Sequence, residues 1–149
     1  MDVIIDELKN KCHNRLGRNH FAVIFRHKKL RWNEKLAFTM NMAVQRCGKW
    51  TIHAEEAALK KCMDNNKKAK SLKIDILVVR LSKDNTLGQS LPCTNCVNFM
   101  SKIQSTHDIV IKNIYYSACC GTIYKEKFCD IANSDKIHPS TGFCRRPNV

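Results

Sequence analysis

The chain has 149 residues, 44% of them hydrophobic and 26% charged, which is typical of one globular domain with a buried core. It has no run of about 18 apolar residues, which excludes a membrane-spanning helix, and its N-terminus lacks the basic start and compact apolar stretch of a secretory signal. We therefore expect a single domain over 1–149, with a core at about 1–132, an irregular tail at 133–149 and an intracellular, cytoplasmic location.

The net charge is +13, from 26 basic and 13 acidic residues. Such an excess can attract phosphate, in a nucleotide or in a nucleic acid. The basic pairs are dispersed along the chain, however, as is also typical of a solvated surface: Lys28-Lys29, Lys60-Lys61, Lys67-Lys68 and Arg145-Arg146. The charge therefore permits a nucleic-acid partner without requiring one.

Apolar residues at helical spacing predict a first helix over 4–16. The apolar run from Phe21 to Phe25 predicts a buried strand, and 30–38 a second strand that leads into irregular chain. Residues 51–65 predict a helix, since its alanines allow close packing on a sheet and its two early glutamates suit the positive helix end.

Further along, 74–81 is typical of a central strand, 82–90 of a turn, and 94–105 of a helix that a proline introduces. A strand is predicted over 108–117, while 121–132 fits either a strand or a helix. Strands and helices thus alternate, and several strands are apolar on both faces. This pattern predicts a three-layer α/β/α domain with helices covering a central sheet.

The nine cysteines are an odd set without the layout of a small secreted disulfide framework. They indicate free thiols in a reducing compartment, where a close cysteine pair points to a metal or to catalysis. Two segments stand out for this reason. One is the His53-Ala54-Glu55 segment, and the other is Pro92-Cys93-Thr94-Asn95-Cys96.

Cys93 and Cys96 are three residues apart on one face of a helix start, where the helix dipole favours thiolates. With His53 they make a three-ligand zinc set with one tetrahedral position open, the pattern of catalytic zinc. His53 and Glu55 can converge on the metal only if His53 lies at the very start of its helix. Glu55 would then carry protons beside the open position. We expect one zinc ion per chain.

A structural zinc ion with four protein ligands is the alternative. It needs a fourth ligand, for which the candidates are Cys119, Cys120, Cys129, Cys144 and His138. The C-terminal cysteines could also bind a second metal ion, although buried free thiols are the commoner role of such residues.

Together the two segments form the pattern H-x-E…P-C-x-x-C, and the chain resembles the cytidine and deoxycytidylate deaminase superfamily of zinc enzymes. The resemblance covers most of the chain, from HFAVIF through TIHAEEAAL, LKIDILVVRL and LPCTNCVNFMSKI to IKNIYYS. It implies a five-stranded mixed sheet between helices, with zinc across the starts of two central helices. It also implies His53, Cys93 and Cys96 as ligands and Glu55 as the proton shuttle.

The interval between Glu55 and Pro92 is longer than in nucleoside deaminases or tRNA adenosine deaminases. In this respect the chain is most similar to a branch of the superfamily found in phages and large DNA viruses. The PCxMCxxA motif of tRNA adenosine deaminases is replaced here by PCTNCVNF.

The resemblance also suggests substrate contacts. Family members commonly place an asparagine after the start of the second strand to contact ribose, and Asn33 stands at a matching place, with Asn41 as the fallback. A turn asparagine is the alternative for Asn33. Phe25, Trp50 and Tyr116 are candidates for packing against a base, although each also fits an ordinary core position.

The expected function is hydrolytic deamination of a cytosine nucleoside or nucleotide (cytidine, CMP or dCMP) to the uracil form with release of ammonia, as in pyrimidine salvage. One alternative is an RNA- or DNA-editing enzyme or a tRNA adenosine deaminase, which the net charge would suit. A second is a non-catalytic, zinc-stabilised binding module. We expect no membrane partner, and the resemblance suggests a homo-oligomer.

Overall fold

The computed structural model describes residues 1–11, 20–40, 42–44, 50–82, 84 and 86–134, with the backbone alone at 42–44 and 50–52. The elements follow in chain order as α1 (Asp2–Lys11), β1 (His20–Arg26), a 3₁₀ turn (Trp32–Glu34), β2 (Ala37–Met40), β3 (Met42–Val44), β4 (Trp50–Ile52), α2 (Ala54–Asn65), β5 (Leu72–Leu81), β6 (Leu87–Gly88), α3 (Thr94–Thr106), β7 (Ile109–Ser117), β8 (Ile123–Lys127) and α4 (Phe128–Ala132).

The central sheet is mixed. Five strands lie in the order β2-β1-β5-β7-β8, and the two-residue strand β6 pairs with β5 as a sixth. β5 and β7 are parallel, while β1 is antiparallel to both β2 and β5, and β8 is antiparallel to β7. The parallel pair requires a crossover connection, which α3 supplies. β3 and β4 form a separate two-stranded sheet.

Alternate side chains of the central strands feed two hydrophobic cores. Phe21, Val23 and Phe25 of β1 pack on one face with α1. Ala22 and Ile24 point to the other face, which α2, α3 and α4 cover. Because helices cover both faces, the central strands are apolar throughout rather than alternating with polar residues. The predicted three-layer α/β/α architecture is confirmed.

The second strand differs from its prediction over 30–38. Residues 32–34 form a 3₁₀ turn, and β2 begins only at Ala37. The Trp32 ring packs edge-on against Phe38 at 5.3 Å between ring centroids, and the Lys35 ammonium lies 4.3 Å from the Trp32 ring centroid. The aromatic side chains of this segment thus pack against each other across a turn, and residues 32–34 do not pair as a strand.

Other segments resolve questions that the sequence leaves open. Residues 121–132 contain both candidate structures, since β8 pairs with β7 and α4 follows at once with its buried residues Phe128 and Ile131 three positions apart. β3 and β6 lie where irregular chain or a turn is predicted, whereas β4 occupies 51–52 at the start of the predicted helix 51–65, which begins only at Ala54. Among the described residues, no helix is long and apolar enough to cross a bilayer. The predicted tail beyond 134 lies outside them.

Asp75 is a fully buried carboxylate in β5 that joins three segments. Its Oδ1 lies 3.0 Å from Nδ1 of His27 and accepts the backbone N–H of Asn113 at 3.1 Å. Its Oδ2 accepts the backbone N–H of Lys28 at 3.1 Å. The pairing of β5 with β7 shifts register between Ile74 and Asp75. The carboxylate therefore satisfies an N–H group at an irregular point of the sheet.

We predict that Asp75→Ala lowers the free energy of unfolding by about 3 kcal/mol, because it leaves several buried donors without an acceptor. Urea denaturation followed by circular dichroism measures the loss. Asp64→Ala, which removes an exposed carboxylate from α2, is the matched control and should change stability by less than about 0.5 kcal/mol. Equal effects of the two substitutions would contradict the role of Asp75.

Candidate metal centre

The first turns of α2 and α3 carry the four residues of the predicted catalytic group. His53 is the N-cap residue of α2, and Cys93 is the N-cap residue of α3. Glu55 and Cys96 lie in the first turns that follow. The expectation that His53 stands at the very start of its helix is confirmed, and this position lets the His53 and Glu55 side chains approach one point.

The three predicted ligands meet in space. Nδ1 of His53 lies 3.3 Å from Sγ of Cys96 and 3.5 Å from Sγ of Cys93. All three ligand atoms lie within 4.8 Å of one another. Cys93 and Cys96 are buried, and His53 is half-buried. The group could hold a metal ion, with Nδ1 as the ligand atom of the imidazole.

Within the described part of the chain, no other cysteine, histidine or acid joins this group, nor is there a second group of this kind. The fourth-ligand candidates Cys119, Cys120 and Cys129 are exposed free thiols in the turn before β8 and in α4. Cys144 and His138 lie outside the described residues. The described ligand set therefore has three members.

The ligands influence each other's ionisation. A hydrogen bond from the Cys96 thiol, with a further one from His53, lowers the pKa of Cys93 to about 4. The hydrogen bond with Cys93 in turn raises the pKa of His53. The pKa of Cys96 is raised, because its thiol donates to Cys93 and is buried. One thiolate forms readily here, whereas the second requires a cation beside it.

The Glu55 carboxyl is buried beside this group, with 6% of the residue exposed. Burial raises its pKa, and a hydrogen bond from its own backbone N–H and the nearby charge of His53 oppose that shift in part. The carboxyl is not one of the converging ligand atoms. A buried acid with a raised pKa next to a ligand set has the properties of a group that accepts and returns a proton.

Two buried serines that the sequence analysis missed support the segment before Cys93. The Ser90 hydroxyl donates to the carbonyl of Val78 at 2.7 Å, and it accepts the backbone N–H of Ser117 at 2.7 Å. The Ser117 hydroxyl donates to the carbonyl of Gly88 at 2.6 Å. These bonds tie the approach to α3 to the carboxyl ends of β5 and β7. In the sequence, Ser90 belongs to an ordinary turn pattern, which gives no signal of this role.

The aromatic candidates for base contact are placed differently from one another. Tyr116 belongs to the same core as Cys93 and Cys96, but its hydroxyl donates to Glu126 at 2.9 Å. Phe25 lies in the core on the opposite face of the sheet, so the structure does not bring it to the metal centre. This corrects its assignment as a base contact, because alternation along β1 turns it away. The side chain of Trp50 is outside the described part.

Asn33 also lies away from the metal centre. It is exposed in the 3₁₀ turn that follows the Arg26 end of β1, whereas His20, at the other end, is electrostatically coupled to His53 and Cys93. The structure therefore does not support Asn33 as a ribose contact, and the error follows from placing the second strand too early. The fallback, Asn41, directly follows β2 in the sequence and lies outside the described residues.

Comparisons of the chain with protein-family models, with curated proteins and with solved structures found no match.

We predict that the purified protein binds about one zinc ion per chain, and that Cys93→Ser and Cys96→Ser each weaken binding by at least about tenfold, because each removes a ligand. Dialysis against limiting zinc, followed by elemental analysis, measures this. Cys120→Ser and Cys129→Ser are the controls and should retain the metal. Loss of metal from either control would identify a fourth ligand and contradict a three-ligand set.

Proposed function

We propose that the protein is a zinc-dependent hydrolytic deaminase that converts a cytosine nucleoside or nucleotide to the uracil form, and that it belongs to the cytidine and deoxycytidylate deaminase superfamily. The observation that carries the proposal is the meeting of His53, Cys93 and Cys96 at two helix starts, with the buried carboxyl of Glu55 beside them. The same four residues make up the H-x-E…P-C-x-x-C pattern.

The donor set favours zinc as the metal. Two thiolates and one imidazole suit zinc, whereas calcium and magnesium prefer oxygen ligands. Nitrogen and sulfur ligands of a tetrahedral zinc ion, at about 2.05 and 2.3 Å from the metal, lie about 3.5 Å from each other. The two distances from Nδ1 of His53, 3.3 and 3.5 Å, agree with this value.

A zinc ion held by these ligands would lower the pKa of a water at its fourth position toward neutrality and so supply the nucleophile. The Glu55 carboxylate takes a proton from the attacking water and passes it to N3 of the cytosine ring. It then takes the remaining water proton from the hydroxyl group on C4 and delivers it to the C4 amino group, which leaves as ammonia. The C4–N bond breaks, a C4–O bond forms, and water plus cytosine gives uracil plus ammonia.

The environment of Glu55 suits this exchange of protons. Because burial raises its pKa, the protonated form that must exist halfway through the reaction is stabilised. A purely structural metal site has no use for such a residue, since burying an ionisable carboxyl is costly. The buried acid therefore favours the enzyme over a zinc-stabilised binding module.

We predict that Glu55→Gln lowers turnover at least about 100-fold, because the amide cannot accept the proton, while zinc content stays unchanged. The matched control is Glu56→Gln, the next residue of the helix. Glu56 forms a surface ion pair with Lys60 at 3.2 Å, and its loss should leave turnover within about twofold. Full activity of Glu55→Gln would refute the proton role, and loss of zinc would make Glu55 a ligand.

A substrate panel separates the three functions. Ammonia release should be seen with at least one of cytidine, CMP and dCMP. Turnover confined to cytosine in oligonucleotides, or to adenosine in a tRNA anticodon stem-loop, would overturn this proposal in favour of an editing enzyme. Zinc-loaded protein that turns over none of these substrates would favour the binding module.

A further inference from the structure

A groove of about 440 Å³ lies between the turn after β1 and the chain that joins α2 to β5. Its polar lining consists of Arg26, His27, Lys70, Ser71 and Lys73, and we refer to it as the basic groove. The backbone N–H of His27 donates to the carbonyl of Lys73 at 2.9 Å, which holds the two walls together.

The basic groove is separate from the metal centre. In the pairing of β1 with β5, Arg26 lies opposite Ile74 at one end, and His20 lies opposite Arg80 at the other. Seven strand residues span about 20 Å. Because His20 is the residue coupled to His53 and Cys93, the groove and the metal centre lie at opposite ends of the sheet.

The positive charges of Arg26, Lys70 and Lys73 are not neutralised by ion pairs with the described residues. Arg26, Lys70 and Lys73 form no salt bridge with any described acid, and the lining contains no acid. Asp75 is buried behind His27 and already accepts hydrogen bonds, and Asp108 is a surface residue whose carbonyl accepts the N–H of Leu72. The cations are therefore available to an anionic ligand.

Backbone conformation and contacts with the buried Asp75 carboxylate define the shape of the groove. Lys28 and Ser71 adopt left-handed backbone conformations, with φ of 66° and 50°, which side chains other than glycine seldom adopt. Asp75 accepts the backbone N–H of Lys28 and contacts Nδ1 of His27. With Nδ1 engaged by a buried carboxylate, Nε2 is the ring atom of His27 that a ligand in the groove can reach.

We propose that the basic groove binds the phosphate backbone of a nucleic-acid strand, independently of base sequence. Exposed lysines adjoin both lining segments in the chain: Lys28 and Lys29 follow His27, and Lys67 and Lys68 precede Ala69. This extended charge suits a chain of phosphates rather than a single one. The site goes beyond the proposed deaminase activity, since it requires neither the metal nor Glu55.

Other anionic partners fit the groove less well. Its lining has no phenylalanine, tyrosine or tryptophan to stack on a base and it is open, whereas a free nucleotide is usually bound in a pocket that buries most of it. A membrane surface is normally approached by exposed apolar side chains, but the apolar lining residue Leu72 is only 5% exposed.

The test is fluorescence anisotropy of a labelled 20-nucleotide single strand, titrated at several salt concentrations with the full chain. The triple variant Arg26→Gln, Lys70→Gln and Lys73→Gln should bind at least about tenfold more weakly at low salt. The slope of log affinity against log salt should fall by about 2, since each neutralised phosphate of a single strand contributes about 0.7. The single variant Lys70→Gln, at an exposed position, should show about a third of this change in slope. It replaces the triple variant in the test if the triple variant fails to fold.

The charge-matched control replaces Lys9, Lys11 and Lys102, in α1 and α3, with glutamine. It should retain the affinity and slope of the original protein, and equal losses in the two triple variants would overturn the proposal. Inorganic phosphate and UTP should compete less effectively, per phosphate, than an unlabelled strand, and equal competition would overturn the proposal. Binding to phosphatidylserine vesicles that is equally tight and depends on the groove would overturn it too. Zinc content and turnover of free nucleotides should be unchanged in the groove variant, so this test and those of the proposed function can fail separately.

Discussion

The central constraint on this molecule is that two cysteine sulfurs and an imidazole nitrogen are held within 4.8 Å of one another. The Nδ1 atom of His53 is 3.3 Å and 3.5 Å from the two sulfurs, and burial prevents water from screening the charges. The pKa of Cys93 is lowered while that of Cys96 is raised, so the protein groups alone favour one negative charge. A divalent cation at the centre of the three atoms would allow both sulfurs to ionise. A divalent cation would therefore stabilise this arrangement.

The rest of the fold serves to bring the two helix starts together. β5 and β7 are parallel, so their carboxyl ends meet at one edge of the sheet, and Ser90 and Ser117 tie the chain to that edge before α3 begins. On the other side, the Thr39 hydroxyl of β2 donates to the carbonyl of Ala54 at 2.7 Å and fixes the first turn of α2. Each ligand is thus placed by backbone at the start of a regular element, which gives a more exact geometry than a loop would.

The sequence predicts the layered architecture and the meeting of His53, Cys93 and Cys96 well, because both depend on local patterns. Apolar runs such as Phe21 to Phe25 identify the buried strands, and the H-x-E and P-C-x-x-C segments carry their own spacing. What it misses depends on side-chain contacts that the pattern of apolar residues does not encode. Trp32 packs on Phe38, and a turn takes the place of the first half of the predicted second strand. The choice of Asn33 as a ribose contact followed from placing that strand too early.

The distribution of positive charge shows the same limit. Along the chain, Lys28-Lys29 and Lys67-Lys68 are separate pairs with nothing in common. The antiparallel pairing of β1 with β5 brings the ends of both segments together, at Arg26 and Lys73. Proximity of this kind follows from strand topology, which no single segment of the sequence encodes.

The last strand of the sheet has a consequence for self-assembly. β8 is at the end of the main strand order and carries the exposed residues Lys125 and Lys127. A strand from another copy that docked along this edge would have to strip water from those ammonium groups, which disfavours growth of one continuous sheet across two molecules. Copies that associate would thus be expected to meet elsewhere on the surface than along β8, whose charged residues disfavour the edge-to-edge pairing that leads to fibres.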